Sequence, residues 1–129
     1  MGAEQIAQFQ FTALSNRSAF VPLTMGNVAA TRANGTPVPS VGAQHGRVVV
    51  VGQEPLLECW RLTNGPPIIT LYGQPAENYA LLSSPAVEAP GEWPVVWEGP
   101  VNSLSTNFLL TNGLYAPTNP ASFFRARRQ

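Results

Sequence analysis

Residues 68–84, IITLYGQPAENYALLSS, hold two short strand-forming runs on either side of QPAE. IITLYG and NYALLSS each have the length and the aromatic and branched-aliphatic content of a β-strand. Between them Pro75 fixes φ and lacks an amide hydrogen, so the first run has to stop and turn. This stretch sets the reading of the chain as short strands joined by tight connections.

The same texture continues on both sides. RVVVVG (47–52) reads as a buried strand, and PLLECWRL (55–62) follows as another. Alternation puts Leu56, Glu58, Trp60 and Leu62 on one face and Leu57, Cys59 and Arg61 on the other. TNGPP (63–67) is a turn, with Asn-Gly accepting positive φ and two prolines blocking continuation. EWPVVWEG (92–99), NFLLTN (107–112) and SFFRAR (122–127) are the later strands. Ahead of them, QIAQFQF (5–11) alternates with period two and reads as a half-buried strand. SAFVPLTM (18–25) is a second extended segment, which Pro22 keeps out of the middle of a sheet. Residues 26–46 are small, polar and rich in turn formers, and are expected to run over the surface.

With 13 prolines and 11 glycines spread along 129 residues, no space remains for long helices. The chain is one domain in size, long enough to bury roughly two-thirds of its unfolded surface in a single core. The expected architecture is an all-β sandwich with Greek-key or meander connections over 47–129, preceded by an extended N-terminal region and turn-rich connector over 1–46.

Charge narrows the function. All 14 charged residues are arginine or glutamate, seven of each, with no lysine and no aspartate. A net charge of zero argues against nucleic-acid binding, which needs a basic excess to displace counterions from phosphates. It also removes the repulsion that keeps like molecules apart. No apolar run approaches the 18 residues of a membrane-spanning helix, and MGAEQIAQFQF lacks the basic start and apolar block of a signal peptide. If exported, the chain is expected to be a processed or excised form. Cys59, the single cysteine, lies among apolar neighbours and is expected to be buried and inert.

ITLYGQPAENYALLSSP, EWPVVWEGPV and ASFFRAR together resemble a C-terminal, fibronectin-III-like β-sandwich module of large exported proteins of Verrucomicrobia and related bacteria. Gly73 and Pro75 match the module's turn, and Tyr79, Leu81, Ser83 and Ser84 its following strand. Trp93 matches its tryptophan, and Phe123, Phe124, Arg125 and Ala126 its closing strand. The resemblance covers about residues 47–128. Ala76 stands where the module's second turn glycine would be, and AVEAPGE lengthens the path to Trp93. The resemblance implies an immunoglobulin/fibronectin-III-like β-sandwich at the cell surface or outside the cell. In that strand Arg125 and Arg127 are expected as solvent-side charges that defend an edge, with a basic recognition tail as the alternative.

Catalytic machinery is not legible. His45, the only histidine, sits in GAQHG with no aspartate anywhere to orient it, so a Ser-His-Asp triad is impossible. One histidine and one cysteine cannot complete a zinc tetrad. Glu88, Glu92 and Glu98 read as solvated carboxylates rather than ligands of a hard cation, and GNVAATRANG lacks the lysine of a phosphate loop. No cofactor or metal is expected, and no enzymatic activity. Trp60 and Trp93 fall inside strand patterns and read as core, which leaves Trp97 and Tyr115 as the candidate glycan contacts. Asn16 and Asn34 open N-x-S/T tripeptides, which hint at an exposed N-terminal region.

The function expected from these residues is that of a non-enzymatic exported structural protein. EQIAQFQFTAL is placed to add as a strand to a neighbouring subunit, with Phe9, Phe11, Phe20 and Leu23 as anchors and Ile6 in support. Repeated head to tail, such a contact builds a filament or surface layer of copies of the chain. The alternative is a monomeric spacer or carbohydrate-binding module of a larger cell-surface protein, with extracellular polysaccharide as its partner.

Overall fold

The computed structural model describes residues 8–61, 63, 65–88, 91–110 and 122–129. Those residues form eight strands and no helix. The strands are β1 (Ala19–Leu23), β2 (Gly46–Val50), β3 (Leu56–Arg61), β4 (Pro67–Tyr72), β5 (Asn78–Ser84), β6 (Val95–Pro100), β7 (Ser105–Leu109) and β8 (Phe123–Arg128). They assemble into three antiparallel sheets: a ribbon β1-β2 and two three-stranded sheets, β3-β4-β7 and β6-β5-β8.

The stretch 68–84 supplies the central strand of each larger sheet, β4 and β5. A central strand is covered on both faces, so it reads as a continuous apolar run rather than an alternating one. Ile68 through Leu71 and Tyr79 through Leu82 are all buried. The connection between them is not a hairpin, because β4 and β5 belong to different sheets. It carries the chain across the core. Ile69, Leu71 and Phe108 from one sheet meet Tyr79 and Leu81 from the other, with Val101 and Leu110 closing the cluster. Leu71 and Leu81 are fully buried, which contributes on the order of 2–3 kcal/mol each. The arrangement is consistent with a β-sandwich.

Two residues in that connection do specific work. A Cβ on Gly73 would lie 2.7 Å from the buried Tyr79 ring, so only glycine lets the ring close under the turn. The Tyr79 hydroxyl then accepts a hydrogen bond from the Gln74 amide at 2.8 Å. Ala76 takes φ +69° at the third position of a turn closed by Glu77 N–H on the Gln74 carbonyl, 3.3 Å. That geometry, with Pro75 before it, is a type II turn, which favours glycine at this position.

At the chain's other end, Phe124 and Ala126 pack toward the core while Arg125 and Arg127 point outward, as alternation requires. On the outward face Ala80 and Leu82 are still buried, flanked by Arg127 and Arg125 on β8, and the Arg125 guanidinium lies 4.5 Å from the centre of the Trp93 ring.

Five expectations need correction. RVVVVG, read as a buried strand, is only half-buried over Val48–Val50 with Arg47 exposed, and Trp93, read as core within a strand, precedes β6 and lies half-buried against Arg125. QIAQFQF does not form a strand over its described part: residues 8–14 are exposed and pair with no strand among the described residues. Cys59 is exposed rather than buried, since β3 is an edge strand whose last three residues are all exposed. Trp60, on the same strand end, is 40% exposed and is not core. Three further expectations touch residues outside the described set, namely Leu62 at the end of PLLECWRL, Asn64 in the TNGPP turn and the end of NFLLTN. β1 and β2 come from either side of the expected 46/47 boundary and pair with each other.

Candidate functional site

The ribbon β1-β2 has two faces, and the sequence decides what each does. Phe20, Arg47 and Val49 share one face, and Ala19, Val21, Val48 and Val50 the other. The first face docks on the β3-β4-β7 sheet. Arg47 forms a two-pronged ion pair with Glu58, and Tyr72 donates its hydroxyl to the same carboxylate at 2.9 Å. Arg47 also donates to the Tyr72 hydroxyl at 3.2 Å and lies 5.1 Å from the centre of the Phe20 ring, which meets Tyr72 edge-on at 5.5 Å. The hydrogen bonds from Arg47, then that from Tyr72, hold the Glu58 carboxyl below its ordinary range against partial burial. Burial first, and the bond to Glu58 second, push the Tyr72 phenol up.

Backbone contacts fix the ribbon's base. Gln53 N–H donates to the Asn16 carbonyl at 3.0 Å, and Gly52 N–H to the Ser18 hydroxyl at 2.8 Å. The Ser18 hydroxyl in turn donates to the Glu54 carbonyl. A Cβ on Gly52 would fall 2.0 Å from the Asn16 oxygen, so this approach requires glycine.

No strand among the described residues covers the second face of the ribbon. Val21, Val48 and Val50 floor a groove of about 820 Å³, walled by Phe11, Leu14 and Leu104. Leu14 is 96% exposed, Phe11 60% and Leu104 58%. A two-stranded ribbon with a bare apolar face is only marginally stable by itself.

Of the expected anchors, Phe9 and Phe11 lie exposed on the unpaired segment, and Leu23 is half-buried at the end of β1. Phe20 is engaged within its own chain. Ile6 and Tyr115 lie outside the described residues. Trp97 packs against the core, with its ring 4.8 Å from that of Phe108. Asn16 and Asn34 are exposed, and the Asn34 side-chain oxygen accepts from Thr36 N–H and hydroxyl. His45 is exposed, its Nδ1 accepting from Met25 N–H at 3.2 Å. Among the described residues no three histidine, cysteine or acidic side chains gather as metal ligands, and no helix is long and apolar enough to cross a membrane.

Sequence reasoning missed the Arg47–Glu58–Tyr72 cluster. Alternation had already put Glu58 with Leu56 and Trp60 on one face, but nothing local shows that Arg47 approaches it, since the contact depends on how the ribbon folds back. The chain matches no family model, no curated protein and no solved structure.

Proposed function

We propose that this chain is a non-enzymatic structural subunit of immunoglobulin/fibronectin-III-like type, exported to the cell surface or beyond. It assembles with copies of itself into a filament or surface layer. The observation that supports the reading is the open apolar face of the β1-β2 ribbon beside the exposed, period-two segment Gln8–Phe11. A strand-patterned segment that pairs with no edge among the described residues and an apolar face that none of them covers are complementary needs. Segment and groove are neighbours in one chain, since Phe11 walls the groove, and when each copy gives its segment to the next the contact is heterologous and propagates instead of closing. Zero net charge leaves that contact unopposed.

The test is sedimentation and negative-stain imaging of the intact chain beside a version lacking residues 1–14. That deletion spares Asn16 and β1, so the ribbon keeps its base. Large assemblies from the intact chain and monomers from the shortened one support the reading. Equal mass for both overturns it. A second reading, a monomeric spacer or carbohydrate-binding module of a larger surface protein, is favoured by the docking of Phe20 and Arg47 on the chain's own sheet.

A further inference from the structure

The outward face of the β3-β4-β7 sheet is built in three cross-strand rows. Leu56, Tyr72 and Ser105 form one, Glu58, Thr70 and Asn107 the next, and Trp60, Ile68 and Leu109 the last. The ribbon meets Tyr72 of the first row and Glu58 of the second, through Phe20 and Arg47. Among the described residues no side chain of the ribbon reaches the last row, whose outer members Trp60 and Leu109 are 40% and 55% exposed on either side of the buried Ile68.

A hydrogen-bond chain joins the open row to the middle one. Trp60 Nε1–H donates to Thr70 Oγ1 at 3.1 Å, and Thr70 Oγ1 donates to Asn107 Oδ1 at 2.8 Å. An indole nitrogen can only donate, so the Thr70 hydroxyl hydrogen is free to point at Asn107, and the atom receiving it is the amide oxygen. Two properties follow. The half-exposed indole is held in one orientation by a buried threonine on a central strand. The Asn107 carboxamide, on an exposed residue, has its oxygen committed and presents its NH2 as a donor.

We propose that this face binds a neutral polysaccharide, with Trp60 as the stacking platform and Asn107 as a hydrogen-bond donor to sugar hydroxyls. An aromatic ring fixed in advance offers its face to the C–H face of a pyranose without paying to order itself, and a neighbouring amide sets the sugar's orientation. Glu58 is already matched by Arg47, so the face offers no unpaired charge for an acidic sugar. The polar row beside Trp60 also disfavours a protein partner, which would need a continuous apolar core. Trp97, whose ring is occupied by Phe108, cannot offer the same platform. The site stands whether or not the chain assembles.

The experiment is affinity electrophoresis of the intact chain in native gels containing hydroxyethylcellulose, xyloglucan, galactomannan or, as the acidic control, polygalacturonate. The variants are Trp60→Ala, Trp60→Phe, Asn107→Ala and, ahead of β6 and against Arg125 of the opposite sheet, Trp93→Phe. The proposal expects retardation in at least one neutral gel, weakened about tenfold or more by W60A and about fivefold by N107A, which corresponds to loss of about one hydrogen bond. W60F retains part of the binding and W93F all of it. N107A, at an exposed position, carries the test if W60A fails to fold. No retardation in any neutral gel, retardation in polygalacturonate alone, or full retardation of folded N107A would overturn it.

Discussion

Replacing Ala76 by glycine should stabilise this protein, against the usual effect of adding a glycine. Ala76 sits at φ +69°, where the Cβ of an L-residue crowds the following carbonyl. That conformation costs roughly 1–2 kcal/mol. The position is exposed, and its two turn hydrogen bonds, Ala76 N–H to Val101 O at 2.8 Å and Glu77 N–H to Gln74 O, involve only backbone. Glycine therefore keeps every contact and removes the strain. Against this stands the extra freedom glycine gives the unfolded chain, about 0.4–1 kcal/mol. The difference leaves a net gain of about 0.5–1 kcal/mol, or a rise in Tm of about 2–5 °C for a domain of this size. Thermal unfolding followed by circular dichroism reads it directly. Ala29→Gly, at an exposed connector position without positive φ, serves as control and should leave Tm unchanged or slightly lower. An A76G variant no more stable than A29G would refute the strain argument and with it the turn assignment.

Other outcomes follow from the same geometry. Gly52→Ala drives a methyl into the Asn16 carbonyl and breaks the Gln53–Asn16 bond, at a cost of about 1–3 kcal/mol read by urea unfolding. Tyr79→Phe strands the Gln74 N–H and costs about 1–2 kcal/mol in the same assay. The ribbon's attachment also depends on pH. Because the folded-state value of Glu58 lies below its unfolded value of about 4.3, its contribution is complete above that pH and lost as pH falls through the lowered value. For Tyr72 the folded value lies above about 10, so its contribution is present below that pH and lost as pH rises through the raised value. Hydrogen-exchange protection of the β1 and β2 amides, taken relative to the intrinsic exchange rate at each pH, should therefore fall on acidification, and Glu58→Gln should flatten that acid response.

Much of the fold was legible because buried central strands declare themselves. IITLYG and NYALLSS are apolar on both faces, and the structure gives each the middle of a sheet. Which sheet each joins was not legible: the type II turn at Pro75–Ala76 bridges two layers, while the local residues equally suit a hairpin. Edge positions misled for a related reason. Cys59 and Trp60 carry apolar side chains in a strand pattern, yet the end of β3 leaves them exposed, and neither residue type nor period reports where a strand outruns its cover. QFQF shows the same limit. Period-two alternation records a capacity to pair, and pairing also needs an edge, which residues 8–11 lack within the described chain. The docking cluster and the Trp60–Thr70–Asn107 chain join residues up to 37 positions apart in sequence, and only the folded register brings them together.

The central claim is that the N-terminal segment of one copy lies on the open ribbon face of another. Two single-cysteine chains test it, both carrying Cys59→Ser, one with Phe9→Cys and the other with Val21→Cys, mixed and oxidised gently. The account predicts a disulfide-linked heterodimer that forms faster than with a control chain bearing Val87→Cys, a position also well exposed but on another surface. Cross-linking of Phe9→Cys to Val21→Cys no faster than to Val87→Cys would contradict it.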